Sequence, residues 1–344
     1  MQTDKIEAAE GIRGLAVLIV IVLHSIGLFY NSMNPLLTGT GQYGVWIFFV
    51  LSAFLLSNKF LHRGFGVKEL TGYVIGRTIR ILPIFWICIL AYWKMDMISL
   101  EKAVNIMTFK EQFIHFWTIP VEFKFYFILP FIVFAANAIQ SRFGLYCSLA
   151  FLALCVIAQR ILLKEFNSAA WRDFQHIPIF IYGIAIAMTM KAGAIRLTPI
   201  VSDIIATFVF AVMVIMSPAI LKLLFDIPPA PRIQGMYTTL GFGMAIFVMV
   251  TLPGKGIWGD ILKSTPLKLL GKWSFSIYLF HWMVIWQISP HRPNHFYAML
   301  LCIIESIAVG AFIYHAVESP IERARHFLMS LLFRARDGST VKAT

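Results

Sequence analysis

Apolar runs long enough to cross a bilayer alternate with short polar breaks along almost the whole chain. A crossing helix needs about 20 mostly apolar residues, and the pattern predicts about ten. They run from Ile12 to Tyr30, Gly44 to Leu61, Thr78 to Trp93, Pro120 to Ile139 and Phe143 to Leu163, then from Phe174 to Met190, Ile200 to Leu221, Ile233 to Leu252, Leu267 to Ile288 and Phe296 to Val317. Strict alternation of apolar and polar residues is missing, so a barrel is excluded and each buried backbone group must be satisfied within a helix. The expected fold is all-α, a polytopic membrane bundle. The first apolar run is longer than a signal-peptide core of about 7–15 residues, and no small-residue cleavage pattern follows it. It is expected to stay as a helix. Gly64 to Arg77 reads equally as a short interfacial helix or a plain loop.

Composition strengthens this picture. The 344 residues are 59% hydrophobic and 13% charged, with a mean hydropathy of +0.78, against roughly 25% charged in soluble domains. The net charge of +12 raises the question of a nucleic-acid partner, but the basic residues fall in short runs between apolar stretches and form no basic domain. They read as topology signals. With the N-terminus inside, about 19 Lys and Arg lie on the inner side, about nine on the outer side, and Lys124 within a span. Ten crossings then leave both termini cytoplasmic. The expected organisation is a membrane domain over residues 1–322 and a basic cytoplasmic tail over 323–344, disordered after Arg336. Cys88, Cys147, Cys155 and Cys302 lie in apolar stretches without metal-ligand spacing and read as packing residues. No metal site is expected.

An ionisable side chain deep in a bilayer costs about 2.5–3.5 kcal/mol on insertion scales, so each is a candidate functional group. Arg13 and His24 are eleven residues apart, close to three turns, which sets them on one face about 16 Å apart along the axis. Interface anchoring explains Arg13 equally well, and interhelical hydrogen bonding explains His24. Arg77 and Arg80 share a face and can grip phosphates with two guanidinium forks, although positive-inside anchoring also accounts for them; Pro83 follows to bend or open the helix. Glu122 and Tyr126 share a face at the outer start of a helix, beside Trp117. Ser274, Tyr278 and His281 form one polar stripe, as suited to bundle glue as to a substrate groove. Glu305 lies mid-span with no specific role. His115, His176, His291 and His295 lie in or near outer loops and are expected to be solvated.

These residues resemble the family-3 membrane acyltransferases, which O-acetylate bacterial surface polysaccharides and related glycoconjugates. The resemblance covers nearly the whole chain. It rests on Arg13-Gly14 followed by His24, the run Gly44 to Ser52, Arg77 to Pro83, Trp117 to Tyr126, Ser274 to His281, and Glu318-Ser319-Pro320. Ala53 stands where a glycine is usual, and Thr118 and Pro120 where serines are common. The extracytoplasmic esterase-like domain of some relatives has no counterpart, so transfer is expected to be completed in the membrane domain or by a separate partner.

The resemblance implies an acyl-CoA co-substrate, commonly acetyl-CoA, with no bound cofactor. It further implies a glycan or lipid-linked glycan acceptor, a bacterial inner-membrane location among lipids, and no nucleic acid; a homo-oligomer is left open. Arg13, Arg77 and Arg80 are then expected at the donor's phosphates, and His24 as general base or acyl carrier with Glu122 orienting it. Ser52, Trp117, Tyr126, Tyr278 and His281 are expected to bind substrate. A proton-coupled transporter and a non-catalytic scaffold are the rival readings; an inverted repeat would favour the transporter, and none is visible.

Overall fold

A computed structural model describes residues 7–37, 39–165, 174–227 and 236–337. Among them the regular structure is helical throughout: α1 (Glu7–Phe29), α2 (Asn34–Leu37), α3 (Gln42–Arg63), α4 (Val67–Lys94), α5 (Leu100–Met107), α6 (Thr118–Phe143), α7 (Leu145–Glu165) and α8 (Ile177–Lys191), then α9 (Pro199–Ile215), α10 (Pro218–Phe225), α11 (Tyr237–Thr251), α12 (Gly256–Leu262), α13 (Thr265–Ile288), α14 (Phe296–Ile313) and α15 (Ser319–Asp337). The side chains of residues 7, 163–165 and 332–337 are outside the description.

Six stretches among the described residues are long and apolar enough to cross a membrane, and up to eight if each of two bent pairs counts as one span. The pairs are α9–α10, bent by 75°, and α11–α12, bent by 91°. The expected count of about ten is larger for a physical reason. Helix α8 is apolar but only 15 residues long, and α13, at 24 residues, carries Lys268, Lys272 and the polar stripe that lower its hydropathy. A second departure is at α4. Gly64 to Arg77 is neither a separate interfacial helix nor a loop, because the chain turns at Gly64 and Gly66 and is then helical from Val67 through Pro83 to Lys94. The segment expected to begin at Ile233 has its first residues outside the described set, as does the tail after Asp337; α15 itself runs through residue 322 without a break. Cys147 is exposed on the surface, unlike the buried Cys88 and Cys302.

Helix α1 sits at the centre of the site-forming half, packed against α13 and α3. The contact with α13 is backbone to backbone. A Cβ on Gly271 would stand 1.7 Å from the carbonyl oxygen of Glu10, and one on Gly14 would stand 2.0 Å from that of Leu267, so glycine is required on both sides. Small residues at helix interfaces give this close approach in membranes. It fixes the register of Arg13 and His24 against Ser274, Tyr278 and His281. On the other flank α3 packs against α6 and α8, and α15 returns along α4, bringing the C-terminal helix beside the arginines.

Candidate active site

Two cavities lie along α1 and share Val45 and Tyr278 as lining residues. The inner one, about 90 Å³, is lined by Arg13, Arg77 and Arg80 together with Ser52, Glu122 and Tyr126. Glu122 Oε1 accepts hydrogen bonds from the Ser52 hydroxyl at 3.0 Å and from the Tyr126 hydroxyl. The Arg77 guanidinium lies 5.8 Å from the centre of the Tyr126 ring. Among the described residues no hydrogen bond or ion pair reaches any of the three guanidinium groups. Glu122 acts on Arg13 at longer range, and Glu318 and Glu322 on Arg80. Three half-buried cations facing one carboxylate within the cavity leave it short of negative charge. Guanidinium forks in a low-dielectric site bind phosphate or carboxylate oxygens strongly.

The outer cavity, about 400 Å³, is lined by His24, Gln42, His115, Trp117 and Trp282 with backbone from Gly39 and Gly41, and none of its described lining residues is Asp, Glu, Lys or Arg. His24 and His281 lie nearly coplanar, 5° between ring planes, with His24 Nδ1 2.9 Å from His281 Nε2. His281 Nδ1 in turn is 2.7 Å from the Tyr278 carbonyl oxygen. A carbonyl only accepts, so in the neutral rings His281 Nδ1 carries the proton and donates it there. His281 Nε2 then has the lone pair and accepts from His24 Nδ1–H. That chain leaves His24 Nε2 as the basic nitrogen. It faces Gly41, where an added Cβ would stand 3.1 Å away, at the wall of the outer cavity.

Three further polar atoms on residues lining this cavity are buried with no partner among the described residues: Gln42 Oε1, His115 Nδ1 and Trp282 Nε1. His115 Nε2 donates to the Leu279 carbonyl at 3.2 Å, so its Nδ1 is an acceptor, as is Gln42 Oε1, whereas the indole of Trp282 is a donor. Unmet buried groups of this kind each cost about 1–3 kcal/mol. A set that mixes acceptors and a donor, without charge, suits hydroxyl groups, which both give and take hydrogen bonds. Between the cavities the Tyr278 hydroxyl donates to the His115 carbonyl at 2.7 Å and lies 3.0 Å from the Thr118 hydroxyl.

A family model described as an acyltransferase domain matches residues 6–315. The chain belongs to this acyltransferase family. Its similar proteins include "Putative peptidoglycan O-acetyltransferase YrhL" of Bacillus subtilis, 23% identical across 92% of this chain and 55% of the relative. Also similar is "O-acetyltransferase OatA" of Staphylococcus aureus, 20% identical across 91% of this chain and 57% of the relative. The chain thus spans little more than half the length of these relatives. No solved structure matches it. Both cavities fall within the acyltransferase match, whereas α15 lies beyond it.

The structure brings together most of the residues singled out in the sequence, but in two groups. Arg13, Ser52, Arg77, Arg80, Glu122 and Tyr126 form the inner cavity; His24 and Trp117 line the outer one; Tyr278 lines both. His281 is fully buried behind His24 and lines neither. Glu122 does not orient His24, contrary to expectation: His281 occupies Nδ1, and Glu122 is held by Ser52 and Tyr126. Depth along α6 suggested a meeting with His24, but α6 packs against α3, α7 and α8 rather than beside α1. His115 and His176 are not solvated; they are 3% and 2% exposed. The 3-10 turn Ile114–Trp117 folds the end of the α5–α6 connection into the bundle, carrying His115 to a ring-centre distance of 4.8 Å from His281. The aromatic pair Phe116-Trp117 directly after His115 was the available sign of this insertion. His291 and His295 are exposed as expected.

Proposed function

We propose that the chain is a membrane O-acyltransferase that moves an acetyl group from cytoplasmic acetyl-CoA to a hydroxyl of a carbohydrate acceptor. The observation that carries this reading is His24. Its Nδ1 is committed to His281, its free Nε2 faces the uncharged outer cavity, and one tyrosine away lies a cavity with three guanidinium groups that lack a bonded anion. Neither a proton relay nor helix glue calls for that combination.

In this reading Arg13, Arg77 and Arg80 hold the donor's phosphates, and the thioester reaches past Ser52 toward Tyr278. The acceptor sugar occupies the outer cavity, with Trp117 and Trp282 against its apolar ring faces and Gln42 and His115 at its hydroxyls. His24 Nε2 removes the proton from the reacting hydroxyl as its oxygen attacks the thioester carbonyl. The carbon–sulfur bond then breaks, and His24 returns the proton to the leaving thiolate. His281 is a positioning residue. It fixes the tautomer and steadies the imidazolium that forms. Glu122 belongs to the donor side, where it holds Ser52 and Tyr126 in place and limits the excess positive charge.

Topology fits the same scheme. Counting α8 and α13 as crossings completes ten, with both termini cytoplasmic in a bacterial inner membrane and the arginines toward the donor's compartment. The relatives named for O-acetyl transfer support the reaction class, and the one named for peptidoglycan supports a glycan acceptor. Membranes containing the full chain, incubated with acetyl-CoA radiolabelled in the acetyl group, should transfer label to the glycan or lipid-linked glycan fraction, and membranes with His24→Ala should not. Equal labelling from His24→Ala protein that is shown to be folded and inserted would sink this reading.

A further inference from the structure

A third cavity, about 410 Å³, opens at the end of the molecule where α3 ends and α4 begins, and α15 closes its third side. Its lining carries Lys59 and Arg63 from α3, Lys68 and Glu69 from α4, and Arg325 from α15, with Tyr73 at its inner wall. Lys59 and Arg63 present exposed charges there beside Glu69, while Arg325 already has a carboxylate partner. Arg325 is fixed by a two-pronged ion pair, Nε and Nη2 donating to Glu322 at 2.8 and 2.6 Å. Its Nη1 lies over α4, 3.3 Å from where a Cβ on Gly76 would stand.

This groove adjoins the inner cavity. Tyr73 donates its hydroxyl proton to the carbonyl of Tyr126 at 2.9 Å, and Tyr126 lines the cavity with the arginines. Lys59 lies within electrostatic reach of Arg77 as well as of Arg63 and Arg325. Along α4, Tyr73 of the groove and Arg77 of the inner cavity are one turn apart, about 6 Å at 1.5 Å per residue. Two cationic sites so disposed, one exposed at the end of the bundle and one half-buried within it, suit a ligand with two separate phosphate groups. The inner cavity, about 90 Å³, is too small for a whole nucleotide of the size that fills common ligand pockets of about 300–1,000 Å³.

We infer that the groove formed by Lys59, Arg63, Lys68 and Arg325 binds a phosphomonoester, and that this is the 3′-phosphate of the coenzyme A donor while the half-buried arginines take its diphosphate. The inference rests on the acyl-CoA donor proposed above. An anionic lipid headgroup offers the same chemistry and is the competing source. The groove lies outside the polar stripes and motifs of the spans, and Arg325 lies beyond the acyltransferase match.

The full chain in phosphatidylcholine nanodiscs separates these possibilities by its Kd for radiolabelled acetyl-CoA and for 3′-dephospho-acetyl-CoA. The wild type is expected to bind acetyl-CoA about tenfold more tightly, equivalent to about 1.4 kcal/mol. Lys59→Gln and Arg63→Gln, both on exposed side chains, are expected to weaken acetyl-CoA binding toward the dephospho value and to leave binding of 3′-dephospho-acetyl-CoA unchanged. Equal Kd values for the two donors in the wild type would overturn the groove assignment and leave the donor reading standing. The same variants weakening association with phosphatidylglycerol, with no difference between the donors, would overturn it in favour of a lipid headgroup. Failure of both donors to bind would remove the donor reading and the groove assignment together.

Discussion

On the proposed chemistry the reacting atom is Nε2 of His24, and its basicity is inherited through two hydrogen bonds from the carbonyl of Tyr278. Replacing His24 with Ala should lower transfer by about 10²–10⁴-fold, the range of a positioned general base. Replacing His281 with Ala frees His24 Nδ1 and lets the ring take the other tautomer. The expected loss is in kcat, about 10²-fold, with KM for acetyl-CoA unchanged. His281→Gln, whose side-chain oxygen can accept from Nδ1–H, should recover part of it; a purely structural role for His281 would show no such rescue. Gly41→Ala sets a methyl carbon 3.1 Å from Nε2 and should reduce kcat about tenfold or more in protein that binds acetyl-CoA normally. Steady-state kinetics on the four variants checks all of these. The sequence made His24 and Tyr278 legible because their helical spacing is local. His281's partner was not legible, since which imidazole meets which across two helices depends on packing, and His115 was hidden by the polar flank Lys110, Glu111 and Gln112.

At the scale of elements, the register of α1 against α13 sets the distance from His24 to His281. Gly14 and Gly271 lie on apolar helices, and the need for glycine at each becomes clear only from the backbone approach. A methyl group at 271 meets the Glu10 carbonyl at 1.7 Å, so Gly271→Ala must push the helices apart or distort them. Overpacking of this kind costs about 1–3 kcal/mol and occasionally more. The expected result is a lower thermal midpoint in detergent together with weakened transfer; an unchanged midpoint would contradict the close approach. Helix boundaries were read to within two residues at Leu61, just before Gly64, but missed by four at Ile139, since α6 runs on to Phe143. They were misread where a polar start, such as Val67 to Gly76, belongs to a long helix. A hydropathy count takes α9–α10 as one straight run, and Pro218 is where the chain turns.

For the whole molecule, charge organises the site from end to end: a cationic groove, a half-buried arginine cavity, and an outer cavity whose described lining has no charge. This gradient suits a donor rich in phosphate entering at one end and a neutral, hydroxyl-rich acceptor at the other. Replacing Arg77 or Arg80 with Gln should raise KM for acetyl-CoA about tenfold or more, as loss of a charge-assisted phosphate contact does, with little change in the acceptor's KM; the opposite split would reverse the assignment of the two ends. A fluorescent protein fused to the C-terminus should fluoresce in cells, as a cytoplasmic terminus requires. The acyltransferase family and the helical bundle were legible because motifs and apolar runs are carried by neighbouring residues. The separation into two cavities was not, because Glu122 and His24 are joined to different neighbours only in the folded bundle.

The most direct test is mass spectrometry of surface glycans from cells expressing the wild type, cells expressing folded and inserted His24→Ala protein, and cells lacking the protein. An acetyl mass increment present with the wild type and absent from the other two is the expected result. The same increment with His24→Ala as with the wild type would contradict a reaction at His24.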